Sequence, residues 1–207
     1  VKDLNWWDLV RHDLYYLIYY ELNNIRIIEP IKRNSLFVRL IFRLKSKMYC
    51  YYIFCIAFIT RPDKIFLSFP RFSFRGIKSD YPIDYVVETY QNNKMRIDQS
   101  KFLLFGQSKA KISLLDSNEL LERLNKRFNI SLKIDMSSFI NERISGYHNQ
   151  LRFYKKIFKA SNGKILIISQ TGNQKGVFHA AAKYNLKTIE VQHGEICRNH
   201  PAYSYPK

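Results

Sequence analysis

One of the five histidines, His193, stands where imidazole chemistry is expected. It falls in Gln192-His193-Gly194-Glu195, directly after the apolar run Lys187 to Val191 (KTIEV). Imidazole exchanges its proton near neutral pH, so His193 is a candidate general base toward a hydroxyl. Gly194 lets the backbone turn sharply or come close to a ligand, and Glu195 is the candidate for orienting the ring. An isolated loop histidine serves equally as a structural hydrogen bonder. His200-Pro201, with Tyr203 and Tyr205, either borders the same cleft or forms an ordinary aromatic loop. Thr171 and Asn173 lie in a turn before a helix, where backbone amides can face an anion. Neither GxGxxG nor GxxxxGK[ST] occurs, so nucleotide binding by those motifs is not supported. His179 reads as a helix-face residue, and His12 and His148 have no companions that suggest chemistry.

The elements that must position these groups lie in Lys164 to Gly194. Lys164 to Ser169 (KILIIS) is a continuous apolar run of buried parallel-strand type. Gln170 to Asn173 is a turn, and Gln174 to Tyr184 (QKGVFHAAAKY) is an Ala-rich helix. Lys187 to Val191 is the next strand. A strand, helix and strand in so short a stretch make a βαβ unit with parallel strands. Open parallel sheets bind ligands at the carboxyl ends of their strands, which aims the segment at His193 toward a cleft.

Further toward the N-terminus, Ile65 to Phe69 (IFLSF) reads as a strand stopped by Pro70, and Lys101 to Phe105 (KFLLF) as another stopped by Gly106. Asp116 and Glu119 form a capping-box-like start to a helix through Phe128. Ile140, Ile144, Tyr147, Leu151, Tyr154 and Phe158 alternate spacings of four and three, which predicts one face of a long helix broken at Gly163. Phe37, Ile41, Leu44, Met48, Tyr51, Cys55 and Phe58 repeat the same spacing and predict a core-facing stripe. Arg39, Arg43, Lys45 and Lys47 on that helix also admit contact with an anionic membrane surface. A first helix, capped by Asn5 and ended by Pro30, is expected to turn Trp7, Val10, Leu14 and Leu22 inward. Residues 1–62 thus read as a helical region and 63–207 as an α/β domain.

The chain has 207 residues and 34 basic against 17 acidic side chains, a net charge of +17. With 46% hydrophobic residues and few glycines and prolines it has the composition of a folded core, not of an acidic disordered tail. Cys50, Cys55 and Cys197 are odd in number and lack metal-ligand spacing, which predicts reduced thiols, an intracellular protein and no metal site. No signal-peptide layout opens the chain, and the longest uncharged apolar run, Met48 to Ile59, is too short to cross a bilayer. Val1 in place of Met and the Tyr205-Pro206-Lys207 ending read as cuts from something longer.

Thr188-Ile189-Glu190-Val191-Gln192-His193-Gly194-Glu195-Ile196, followed by His200-Pro201-Ala202-Tyr203-Ser204-Tyr205-Pro206, resembles the QHG region of bacterial surface-polysaccharide glycosyltransferases of capsule and O-antigen assembly. Polymerases of glycerol phosphate in teichoic acids carry a similar His-Gly element. Ala180 to Lys183, Trp7 to Arg11 and the Ile65 to Arg71 stretch extend the likeness. The resemblance implies a GT-B arrangement, of which this chain would be the N-terminal, acceptor-side half, a Rossmann-like parallel sheet preceded by helices. A C-terminal domain would then bind the nucleotide-sugar donor, so no cofactor is expected on this chain. It implies that His193 is the catalytic base, assisted by Glu195. Gln192, Gly194, His200, Tyr203, Thr171 and Asn173 are the substrate-binding candidates. The scheme uses no metal. The expected partners are a saccharide or lipid-linked acceptor and an anionic membrane surface, at a cytoplasmic location with peripheral attachment to the inner face of the membrane. Two other classes compete. A +17 chain with 15 Tyr and 15 Phe suits phosphate contacts and base stacking, but it carries no helix-turn-helix, RNP or zinc-finger signature, so a nucleic-acid-binding module ranks behind. A non-catalytic membrane-surface scaffold is the third.

Overall fold

The computed structural model describes residues 7–24, 36–70, 72–74, 77–90, 92–101, 117–169 and 174–191. Two helices come first, α1 (Trp7–Leu22) and α2 (Leu36–Thr60). Strand β1 (Lys64–Ser68) follows, then a small antiparallel pair, β2 (Phe72–Phe74) and β3 (Ile77–Ser79). Helix α3 (Tyr81–Thr89) leads to β4 (Lys94–Asp98) and a 3-10 turn at Gln99–Lys101. The C-terminal part holds α4 (Ser117–Phe128), α5 (Met136–Ala160), β5 (Ile165–Ile168), α6 (Lys175–Lys183) and β6 (Lys187–Glu190). The architecture is mixed α/β, built on a four-stranded all-parallel sheet of order β4-β1-β5-β6.

Alternation along the central strands divides the core into two layers. Ile65, Leu67, Leu166 and Ile168 enter the larger cluster with residues of α1, α2, α5 and α6, and the edge strand adds Met95 and Ile97. Phe66 and Ile167 point the other way, to Ile83 of α3 and the half-buried Val86, Val87 and Tyr90. Helices therefore cover both faces, as strands apolar on both sides require. Helix α5 is the spine of the larger layer. Its expected stripe of Ile140, Ile144, Tyr147, Leu151, Tyr154 and Phe158 is buried throughout, and Asp135 caps its start by accepting from the Ser138 N–H at 3.0 Å. The Asp135 carboxyl is held below its ordinary range, first by the Ser138 hydroxyl and then by that N–H. Arg143 of α5 bonds Asp13 of α1, which ties the first helix to the spine.

The βαβ unit stands where its sequence puts it, β5 and β6 pairing in parallel with Ile165 opposite Lys187. Three expectations are corrected. The strand expected at Lys101 to Phe105 does not include Lys101, which ends the 3-10 turn, and 102–105 lie outside the described residues. The strand that pairs beside β1 is β4, whose Met95 and Ile97 are buried between exposed Lys94 and Arg96. An edge strand needs only two inward apolar residues, too short a signal to stand out. In α1, Val10 and Leu14 are buried as expected and are joined by Leu9, whereas Trp7 and Leu22 are exposed. The largest departure is α2, where Leu44, Met48, Tyr51 and Phe58 of the expected core stripe are exposed. Ser46, Ile53 and Ala57 are buried instead, and half-buried Tyr49 and Ile56 pack beside them.

Two glycines of the helical layer predict opposite substitution effects. A Cβ on Gly176 of α6 would stand 2.5 Å from the Tyr147 carbonyl oxygen and 2.9 Å from the Leu151 nitrogen, so glycine sets the α5–α6 crossing. A Cβ on Gly146, in mid-α5, would meet nothing within 4 Å. Urea unfolding is expected to show Gly176→Ala losing at least about 1–3 kcal/mol, the usual cost of overpacking. Gly146→Ala is expected to gain about 0.5–1 kcal/mol by restricting the unfolded chain.

Candidate functional site at the carboxyl edge of the sheet

The chain passes from β1 to β4 on one side and then back across β1 to β5 on its other side. Neighbouring strands β1 and β5 are thus the point where successive connections run in opposite directions. The carboxyl ends of such a pair open the crevice in which parallel α/β sheets hold ligands. A polar cluster occupies that edge. Both central strands end their apolar runs in a buried serine, Ser68 after IFL and Ser169 after LII.

Asp80, just before α3, joins the two strand ends. Its Oδ2 accepts the Phe69 N–H at 2.6 Å and the Ser169 hydroxyl at 2.8 Å, and the residue is only 5% exposed. Pro82, early in α3, suits a helix start there. The Asp80 N–H donates in turn to Asp84 Oδ2 at 3.1 Å. Arg96 of β4 pairs with Asp84 at 2.6 Å and donates from Nε to the Ser68 hydroxyl at 2.9 Å. Bonds to two carboxylates and from one arginine therefore lock the ends of β1 and β5, the middle of β4 and the first turn of α3. Being charge-assisted, they are stronger than neutral ones.

A second set lies where the 3-10 turn meets α5 and α6. Gln99 Nε2 donates to Tyr154 Oη at 3.1 Å and to Gln174 Oε1 at 3.0 Å, and Gln174 is the residue immediately before α6. Burial drives the Tyr154 phenol well above its ordinary pKa, so it stays protonated. The Asp98 N–H donates to Tyr49 Oη at 2.9 Å, which fastens α2 to the carboxyl end of β4. Burial raises the Tyr49 phenol too, with the bond from Asp98 acting in the opposite sense.

This edge is where the sheet delivers the two segments singled out in sequence. The chain leaves β5 at Ser169 toward 170–173, and it leaves β6 through Val191, whose N–H donates to the Ile168 carbonyl at 2.8 Å. The candidates themselves, Thr171, Asn173, Gln192, His193, Gly194, Glu195, His200 and Tyr203, all lie outside the described residues. Of the other histidines, His179 is exposed on α6 and shares a 2.7 Å hydrogen bond with the Tyr147 hydroxyl. His12 contacts Asp13 at 3.2 Å on α1. Burial pushes the Cys50 thiol up to about 11, which keeps it protonated and poorly nucleophilic near neutral pH. Among the described residues no group of three or more His, Cys, Asp or Glu side chains is arranged to hold a metal ion.

Asp80, Asp84, Arg96, Gln99 and Gln174 carry no such signature in the sequence. The available signals are the serines that end two buried strands and the Asp-Tyr-Pro helix start, which together mark a polar rim on an apolar sheet. Comparison of the chain with protein-family models, with curated proteins and with solved structures finds no match in any of the three.

Proposed function

We propose that the chain is the acceptor-side domain, Rossmann-like in fold, of a GT-B type glycosyltransferase of bacterial cell-surface polysaccharide assembly. The observation that carries the reading is the reversal of strand order at β1 and β5. Parallel α/β sheets hold ligands at such a reversal, and it lies at the same edge from which the chain leaves β6, two residues before Gln192-His193-Gly194. In this reading His193 takes the proton of an acceptor hydroxyl as the oxygen attacks the anomeric carbon of a nucleotide sugar. The bond from that carbon to the nucleotide phosphate breaks, and the phosphate departs with the electron pair. Glu195 orients the imidazole. Gln192, Gly194, His200, Tyr203, Thr171 and Asn173 border the acceptor, and the donor is held by a second domain. The +17 charge favours acceptors and donors that bear phosphate or carboxylate groups.

The test is incorporation of labelled sugar by the full-length native protein from a panel of nucleotide sugars into saccharide and lipid-linked acceptors. Donor-dependent incorporation is the expected result. No incorporation from any donor, together with tight binding to arbitrary DNA that falls steeply with salt, would overturn the reading in favour of a nucleic-acid-binding module.

A further inference from the structure

Helix α2 turns an apolar face outward. Leu40, Leu44, Met48, Tyr51, Phe58 and Ile59 are all exposed, Met48 and Tyr51 to 72% and Ile59 to 77%. At about 100° per residue these six lie within an arc of about 100°, opposite the buried Ser46, Ile53 and Ala57, and run for about 28 Å along the helix. The helix is held from behind by the core and by Tyr49 on Asp98. The helix contains no acidic residue. Exposed Lys45 and Lys47 fall on the two flanks of the stripe, and exposed Arg43 lies one turn before Lys47.

We propose that the outward face of α2 docks on an anionic lipid bilayer, lying in the plane of the interface. An apolar stripe bordered on both sides by lysines suits that surface: the stripe enters the acyl boundary while the lysine stems let their charges reach the headgroup phosphates. Tyr51 and Tyr52 carry hydroxyls that suit the headgroup level. Charge complementarity selects this occupant. A second copy would set the same lysines of another +17 chain against these, and a nucleic-acid backbone would leave Leu44, Met48 and Ile59 without an apolar partner. Among the described residues no helix is long and apolar enough to cross a membrane, so α2 lies on the bilayer and does not span it. The docking is independent of sugar transfer and is measured without it.

Flotation of the full-length protein with phosphatidylcholine vesicles, with and without phosphatidylglycerol, tests the proposal. Binding is expected on the anionic vesicles and should weaken with salt. The charge-neutral pair Met48→Gln and Tyr51→Gln, both exposed and hence compatible with folding, should lower the affinity at least tenfold with the circular dichroism spectrum unchanged. Lys45→Gln and Lys47→Gln should each cost roughly fivefold on anionic vesicles alone. Three results would each overturn it: anionic vesicles left unbound, equal binding by the double glutamine variant, or a parent protein whose stripe is covered by concentration-dependent dimerisation that the double variant abolishes.

Discussion

The His193→Ala variant of the full-length protein is expected to transfer sugar about 10²- to 10⁴-fold more slowly than the parent, the range that a positioned general base contributes. A base acts only on the proton that leaves the acceptor hydroxyl in the transition state. The loss should therefore fall on kcat and on kcat/KM alike, with KM for the acceptor little changed. An imidazole base must be neutral to accept the proton, so the parent should lose activity on acidification. In the variant that acidic limb should disappear from the kcat/KM profile. Transfer by His193→Ala within a few-fold of the parent would sink the assignment of the base. Thermal unfolding of the variant is expected to match the parent, which separates loss of the base from loss of the fold.

Replacing Asp80 should act on the scaffold. Its Oδ2 is the common acceptor for the Phe69 N–H and the Ser169 hydroxyl, one beyond the end of β1 and the other beyond the end of β5. Asp80→Ala takes that oxygen from the buried Ser169 hydroxyl, at about 1–3 kcal/mol, while the Phe69 N–H lies at an exposed residue and loses less. Guanidinium or urea unfolding is therefore expected to show a loss of about 1–3 kcal/mol. Asp80→Asn keeps an oxygen that can accept both bonds, without the charge, and should lose about 1 kcal/mol. Equal losses for the two variants would show that the carboxylate oxygen is not the joint between the strands.

Much of the scaffold is legible in the order of residues alone. The KILIIS run, the Ala-rich helix and KTIEV each carry their own local signal, and together they require a parallel β5–α6–β6 unit. The spacing from Ile140 to Phe158 likewise identifies the buried face of α5, whose opposite side holds the exposed Arg152, Lys156 and Lys159. Helix α2 defeats the same reasoning because its second half, from Met48 to Ile59, carries no charge and is apolar nearly all round. Two stripes compete on it, and periodicity cannot choose between them when neither is polar. The choice is made by contact with α5 and β4, where Tyr49, Ile53 and Ala57 fit and the bulkier stripe is left outward.

The candidate site divides in the same way. His193 and its neighbours stand out because a parallel strand ends just before them, a relation contained within a few residues. Asp80 cannot stand out so, since its partners are 11 and 89 residues away, and neither can the Gln99–Gln174 pair at a separation of 75. The sequence alone determined the α/β class, the parallel unit and the segments that follow its strands, because backbone geometry sets side-chain periodicity within each element. Only the tertiary structure decided which face of α2 looks outward, that β4 lies beside β1, and that one aspartate joins the two central strands. Those outcomes depend on which surfaces are buried together and which polar groups must then find partners, and both are settled between residues far apart along the chain.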